Sequence, residues 1–213
     1  MQNGKIKKME QTLTYRYQDG LYLNLTNRCP TACKFCIKFT WEMNYRGYDL
    51  KLNGKETPVS EFIESFEKEK KIKPFSEVVF CGYGESTYRL QEMVQIAKYI
   101  KNNHPSIKVR LNTIGLGNLI WGRNIAPDLQ GGLDAVSISL NTADPSQWVE
   151  IHQPAKPYRE KGFESVLEFI RCCVPLLPET TVTAIEQPGV DVSRCRDIAL
   201  KVGAHFRSRP WLE

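Results

Sequence analysis

The sequence predicts an α/β fold built on a parallel sheet, either open or partly closed into a barrel. Two observations predict it. Short apolar runs of strand character alternate about six times with segments of helical spacing. Some of those runs are nearly continuous, as at Val78-Val79-Phe80-Cys81, which marks strands buried on both faces. No repeat of fixed period and no low-complexity tract interrupts the alternation, so solenoids and linkers are set aside.

The elements follow in order. Leu13, Tyr15 and Tyr17 alternate with polar residues, Asp19-Gly20 is a turn pair, and Leu21, Leu23 and Leu25 alternate again. This reads as an N-terminal hairpin feeding a first core strand. Further strands are expected at 77–81, 107–112, 134–140, 180–186 and 204–208. Thr57-Pro58 reads as an N-cap and first-turn pair before a helix carrying Phe62, Ile63 and Phe66. Leu90, Met93, Val94, Ala97 and Ile100 have helical spacing, as do Phe163, Val166, Leu167 and Ile170. Asp144-Pro145 with Gln147 resembles a capped helix start. One segment breaks the rhythm. From Lys38 to Glu56 the chain is aromatic and polar, with Phe39, Trp41, Tyr45, Tyr48 and a hairpin-turn pair at Asn53-Gly54. It reads as an insertion, serving as a lid, a substrate wall or surface decoration.

Length and composition bound the function. The 213 residues suit one domain, 1–213, with residues 1–11 expected to be loosely ordered. An apolar share of 41% with 25% charged residues excludes disorder and a disulfide-stapled miniprotein. The apolar runs are too short to span a bilayer, so no membrane is expected. The lysine-rich N-terminus has no apolar stretch after it and is not read as a secretory signal, which points to the cytoplasm. The net charge of +5 is spread along the chain, and Lys68 to Lys73 sits where a helix should end. Cations are favoured there by the helix dipole, so this run reads as a solvated helix terminus rather than a nucleic-acid patch. Seven cysteines are the informative count, because three of them crowd into eight residues. In a reducing compartment, clustered cysteines hold metal or do redox chemistry.

Those three are Cys29, Cys33 and Cys36, at spacing C-x3-C-x2-C on a loop leaving the first core strand. A closed zinc site normally takes four protein ligands, and the nearest other cysteine is Cys81. Three thiolates on an iron–sulfur cube leave one iron open and reactive. A zinc site and inert core thiols remain the alternatives. After the second parallel strand comes Cys81-Gly82-Tyr83-Gly84-Glu85. Glycines let backbone approach a ligand closely, and the adjacent carboxylate can receive an ammonium group. The third strand ends at Asn112, and the fourth places Ser137, Ser139 and Asn141 on one face. Such hydroxyls and amides can bond ribose or carboxylate oxygens, although Ser137 reads better as bonded to neighbouring backbone. Gly115 and Gly117 read as turn glycines, since no Lys-Ser/Thr pair follows them.

Other residues carry weaker readings. Cys172, Cys173 and Cys195 read as packing thiols rather than a second cluster, and Cys81 likewise as packing. His104, His152 and His205 share no ligand spacing and read as surface or capping residues. Arg207 and Arg209 alternate on the last strand. If their face opens into the barrel they would bind a carboxylate or phosphate, and otherwise they line a solvent edge.

The cysteine loop resembles the C-x3-C-x-aromatic-C signature of the radical S-adenosylmethionine (radical SAM) superfamily, with Phe35 at the aromatic position. The resemblance implies a partial (β/α)6 barrel and a [4Fe-4S] cluster on Cys29, Cys33 and Cys36. It implies that SAM binds the open iron and, on one-electron reduction, yields a 5′-deoxyadenosyl radical that abstracts hydrogen from a substrate. Gly82, Tyr83, Gly84 and Glu85 look like the superfamily's Gly-Gly-Glu motif for the methionyl amino group, with Tyr83 inserted and Ser86 where a proline often follows. Asn112, Ser139 and Asn141 carry over as contacts to SAM. The phrases around residues 24–29, 81–85 and 111–118 further resemble the small radical SAM proteins associated with TatD-type hydrolases. The implied protein is a cytoplasmic oxidoreductase using a flavodoxin- or ferredoxin-type reductant, with a TatD-type hydrolase or a macromolecular substrate as partner. A short barrel leaves its lateral opening to a large substrate or a partner. The alternatives are a glycyl-radical-enzyme activase and a non-enzymatic iron–sulfur or zinc interaction module.

Overall fold

The computed structural model describes residues 11–211, so the segment 1–11 expected to be loosely ordered lies, apart from Gln11, outside the described residues. Strands β1 (Thr14–Tyr17) and β2 (Gly20–Leu23) form the expected hairpin. Its turn is Gln18-Asp19, one residue earlier than the Asp19-Gly20 pair, because Gly20 already pairs with Tyr17. The insertion follows as helix α1 (Ile37–Thr40) and the strand pair β3 (Asn44–Tyr45) and β4 (Tyr48–Asp49). Then come α2 (Val59–Ile72), β5 (Glu77–Phe80), α3 (Leu90–Asn103), β6 (Lys108–Thr113), the short helices α4 (Gly117–Trp121) and α5 (Ala126–Leu129), and β7 (Ala135–Ser139). Helices α6 (Pro145–His152) and α7 (Gly162–Cys173), strand β8 (Glu179–Glu186), α8 (Val192–Lys201) and β9 (His205–Pro210) complete the described chain.

One seven-stranded sheet runs β1-β2-β5-β6-β7-β8-β9, antiparallel only between β1 and β2. Six parallel strands in sequence order, joined by helical crossovers, form the strand–helix units that the alternation predicted. Among the described residues β1 and β9 do not pair, so the sheet is open rather than a closed barrel.

The two faces of this sheet differ. Val78, Phe80, Val109, Leu111, Val136, Ile138 and Val182 are fully buried against Phe62 and Phe66 of α2, Met93 and Ile96 of α3, and Val166 and Phe169 of α7. That face holds the main core and supplies most of the hydrophobic stabilisation. The opposite face carries Arg110, Asn112, Ser137, Thr181, Thr183 and Arg207, one step away along each strand. Arg110 is held there by both carboxylate oxygens of Glu77, at 2.8 and 2.7 Å, and Lys108 by Glu179 at 2.6 Å. The expectation of strands apolar on both faces therefore fits β5 but fails for β6, which alternates half-buried and buried residues.

Helix starts separate into two cases. At α6 the Asp144 carboxylate accepts from Gln147 N at 2.8 Å, as the capped start predicted. At α2 the cap position is Pro58 and no side chain caps it, so Thr57 does not play the expected role. Its carbonyl instead accepts from Arg89 at 2.7 Å. The insertion also departs from expectation. Its hairpin turns at Arg46-Gly47, both at positive φ, while Asn53-Gly54 forms only a bend. No helix of the described residues is long and apolar enough to cross a membrane.

Candidate functional site

The cysteine loop leaves the C-terminal end of β2, the position at which open α/β sheets present their sites. Backbone bonds clamp it from two sides. On one side lies the end of α6 and the segment after it. Ala32 N bonds Gln153 O at 3.2 Å, Lys34 N bonds Ile151 O at 2.9 Å, and Ala155 N bonds Pro30 O at 2.9 Å. On the other side Glu85 N bonds Arg28 O at 2.8 Å. The insertion braces the loop's start, where Asn24 Nδ2 and Asn27 Nδ2 both donate to Leu50 O and Leu52 N donates to Asn27 Oδ1.

Within the loop the Thr31 hydroxyl stands between two thiols, 3.5 Å from Cys29 Sγ and 3.3 Å from Cys33 Sγ. Burial holds all three thiols above their ordinary range, Cys33 at about 12, and Cys29 and Cys36 each raise Cys33 further. Thiols in such a setting stay neutral until a metal takes their protons. Among the described residues no group of three His, Cys, Asp or Glu side chains is placed to hold a single ion. A four-iron cube spreads its thiolates more widely than a single ion's ligands, and three soft sulfur donors on a half-buried loop suit that group.

The Gly-Tyr-Gly-Glu element follows β5. Neither glycine is there for positive φ. A Cβ on Gly84 would lie 2.1 Å from Thr26 O and 2.8 Å from Arg28 O, and one on Gly82 would lie 2.4 Å from Asn24 Oδ1. The close approach is to the cysteine loop and the residues that lead into it, so neither position has room for a side chain. Glu85 is buried, and burial raises its pKa while its bonds act in the opposite sense. Oε1 accepts from Thr87 N, Thr87 Oγ1 and Thr113 Oγ1, and Oε2 from Ile114 N at 2.9 Å. The carboxylate therefore ties the ends of β5 and β6 together, with acceptor capacity left on Oε2. Tyr83 does not stand on the cavity wall. Its ring packs with Tyr15 and Leu50, and its hydroxyl donates to Asn44 O at 2.9 Å.

One cavity joins these parts. Its wall includes Cys29, Thr31, Cys33 and Phe35 from the cysteine loop and Gly82, Gly84 and Glu85 from the next. Asn112, Ser139 and Asn141 complete the expected set on it, whereas Cys36 stands beside the other thiols at the start of α1 without lining the wall. Asn141 is fully buried at φ 63°, and both ends of its amide are engaged. Oδ1 accepts from Ile185 N at 3.2 Å and Nδ2 donates to His152 Nε2 at 3.0 Å. Hence His152 is no surface residue. It is buried neutral, held down to about 4, with Nδ1 donating to Trp148 O and the Phe35 ring edge-on. Pattern reading missed it because nothing in helical spacing links residue 152 to residue 141.

Four wall residues had weaker readings from sequence. Ser137 and Cys81 line the cavity, and so do Arg209, which is half-buried, and Arg207, which is exposed at its solvent edge. No residue of 38–56 lines it, so the insertion is neither lid nor wall of this cavity but a brace behind the loop. Cys173 and Cys195 lie in the core, as expected of packing thiols.

The site is thus a three-thiol loop at the end of the first parallel strand of an open α/β sheet. The chain belongs to the radical SAM superfamily, whose family model matches residues 23–201. No curated protein matches the chain by sequence. Among solved structures it is similar to the FeFe-hydrogenase maturase HydG of Carboxydothermus hydrogenoformans, with TM-score 0.62 at 13% identity over 91% of this chain and 44% of that one. It is similar to SuiB of Streptococcus suis, with TM-score 0.59 at 15% identity over 87% of this chain and 38% of SuiB. It is also similar to a radical SAM methyltransferase of Sphaerobacter thermophilus, with TM-score 0.59 at 12% identity over 92% and 68%. At such identities the likeness is one of fold. The chain spans less than half the length of HydG and of SuiB.

Proposed function

We propose that this chain is a radical SAM enzyme that holds one [4Fe-4S] cluster on Cys29, Cys33 and Cys36 and binds SAM along the wall formed by the ends of β5, β6 and β7. The carrying observation is the single cavity into which the cysteine loop, Gly82, Gly84, Glu85, Asn112 and Ser139 all open. When bound, cluster and SAM supply a 5′-deoxyadenosyl radical, which takes a hydrogen atom from a substrate not yet identified.

The chain's own residues perform the remaining work. The Thr31 hydroxyl is placed to bond thiolate sulfur at Cys29 and Cys33, which lowers the electron density on the sulfurs. Oε2 of Glu85 has acceptor capacity for the ammonium group of SAM, while Oε1 is fixed by Thr87 and Thr113 and cannot swing away. Asn112 Oδ1 is oriented by Arg110 Nη1 at 2.6 Å, and its amide bonds Cys81 with one N–H left for a ligand oxygen. Asn141 stands on the wall and braces it through His152 and Ile185, and the Phe35 ring packs edge-on against His152. A flavodoxin- or ferredoxin-type protein would supply the electron. The phrases around residues 24–29, 81–85 and 111–118 favour the group associated with TatD-type hydrolases, with such a hydrolase or a macromolecule as partner.

The test is anaerobic reconstitution with iron and sulfide, followed by reduction with SAM present. The expected result is a [4Fe-4S] spectrum and 5′-deoxyadenosine, both lost in Cys33→Ala. A protein that binds zinc tightly in place of iron, or a cluster that never cleaves SAM, would overturn the reading.

A further inference from the structure

The sheet pairs its cations with care, except in one place. On the polar face Arg110 has Glu77 and Lys108 has Glu179, and elsewhere Arg16 has Glu69 and Lys101 has Asp134. Arg207 and Arg209 stand on the same face, two residues apart on β9, opposite Thr183 and Ile185 of β8. Both line the cavity, and among the described residues no carboxylate lies within ion-pair distance of either. Glu85 is the one carboxylate on the described wall, and it is occupied by Thr87, Thr113 and Ile114.

Arg209 is half-buried. One Nη donates to Ser139 Oγ at 3.3 Å, while its buried Nε has no partner. Burial depresses its pKa first, the neighbouring Cys81 acts in the opposite sense, and Arg207 lowers it further. A guanidinium does not deprotonate to escape this cost. It stays charged, desolvated and short of acceptors. Such a group is stabilised by a planar oxyanion that accepts two parallel N–H bonds.

We propose that Arg209, assisted by Arg207, forms an anion subsite that holds a carboxylate or phosphate group of the substrate against the β9 side of the cavity. The inference rests on the proposed function for the reaction that follows, but not for the subsite. A substrate tethered there by its anionic end would extend across the cavity toward Phe35 and the thiols, which lie on the loop after β2. The neighbouring Cys81 and Asn112 then flank its path. SAM carries a carboxylate of its own, so the same chemistry has two sources and the test must separate them.

Thermal unfolding of the reconstituted protein is followed against inorganic phosphate and malonate at constant ionic strength, with chloride as reference. SAM affinity is measured alongside by equilibrium dialysis. Wild type is expected to show a saturable rise in Tm with phosphate or malonate that chloride does not give. The rise is lost in Arg209→Gln, and the apparent affinity weakens about tenfold in Arg207→Gln. SAM affinity stays within about threefold in both variants, as expected of residues that contact a different ligand. An anion response that survives in Arg209→Gln overturns the subsite. A drop of tenfold or more in SAM affinity in that variant also overturns it, because the guanidinium then holds the carboxylate of SAM. Should Arg209→Gln not fold, phenylglyoxal labelling of Arg209 in wild type replaces it. Protection by phosphate is then expected, and equal labelling with and without phosphate overturns the proposal. A wild type that shows the anion response but never cleaves SAM sinks the proposed function and leaves the subsite supported.

Discussion

The two sides of the cavity are built on opposite principles. On the cysteine-loop side nearly every polar group is satisfied within the chain. Glu85 accepts four bonds, Asn141 is engaged at both ends, and the loop is pinned by backbone bonds to α6 and to the strand after it. On the β9 side a guanidinium stands half-buried with a buried Nε unbonded. The first side is preorganised, so its ligands meet a fixed shape and pay little ordering cost. The second side keeps a buried donor without a partner, which under the proposed subsite an anionic ligand would relieve. The contrast teaches that, on the proposed reading, one wall would hold its ligand in one position and the other would admit a ligand by its charge.

The comparison can be broken most sharply at Gly84. In Gly84→Ala the new Cβ would meet two backbone carbonyls of the cysteine loop, which cannot move as a side-chain tip can. A loss of roughly 3 kcal/mol or more in unfolding free energy is expected, together with poor cluster retention. Denaturant unfolding and the iron content after desalting check it. A stable Gly84→Ala protein with full iron would mean that the two loops are not tightly joined. Next in size is Glu85→Ala, which strands Thr87 N, Thr113 Oγ1 and Ile114 N in a buried place. The expected cost is about 2–3 kcal/mol, and Glu85→Gln should recover part of it because its carbonyl oxygen still accepts. SAM binding should weaken in both variants, with the cluster retained in Glu85→Gln.

Much of this arrangement was legible in the sequence, and the division has a physical basis. Strand and helix positions follow from local periodicity, so β5, β6, α3 and α7 fall where the apolar spacing put them. The cysteine spacing and the glycines after β5 are likewise local, and they meet at one cavity. What stayed hidden depends on contacts between distant segments. Tyr83 reads as part of a binding motif, yet its ring is drawn away by Tyr15 and Leu50, and Leu50 comes from the insertion. The turn of that insertion sits at Arg46-Gly47 rather than Asn53-Gly54, because Asn53 is engaged instead with Gln11 and Lys55. His152 was invisible for the same reason, since its partners Asn141 and Phe35 reach it only through folding. For Arg207 and Arg209 the sequence does not choose between cavity and solvent, because strand alternation says that two side chains share a face but not what the face looks onto.

His152 gives a prediction on the preorganised side. Its folded pKa is held down to about 4 by burial, against about 6.5 in the unfolded chain. Above pH 6.5 both states are neutral there and the residue adds no pH dependence. Between 6.5 and 4 the unfolded chain takes up a proton that the folded one refuses, so stability falls as pH falls. From pH 7.5 to 5.5 the loss assigned to this residue is about 1.4 kcal/mol. His152→Gln should unfold with a flatter slope over that interval whatever its stability at neutral pH. An unchanged slope would place the imidazole in contact with solvent and weaken the case for a sealed wall behind Phe35.

The smallest effect is expected on the other side, and it is the most discriminating. Arg209→Met keeps a long stem against the sheet and removes the charge. If the guanidinium were a structural anchor, its loss would leave a partner unpaired and cost about 3 kcal/mol or more, as when one member of a buried pair is deleted. No carboxylate partner is present among the described residues, and the one hydrogen bond lost is to Ser139 Oγ at 3.3 Å, which is long. Against that loss stands relief from holding a desolvated charge beside Arg207. The two terms nearly cancel, so Arg209→Met should unfold within about 0.5 kcal/mol of wild type in anion-free buffer. Wild type alone should then gain stability when phosphate is added. A large loss in Arg209→Met without anion would mean that β9 is held by its own arginine and that both walls are built the same way.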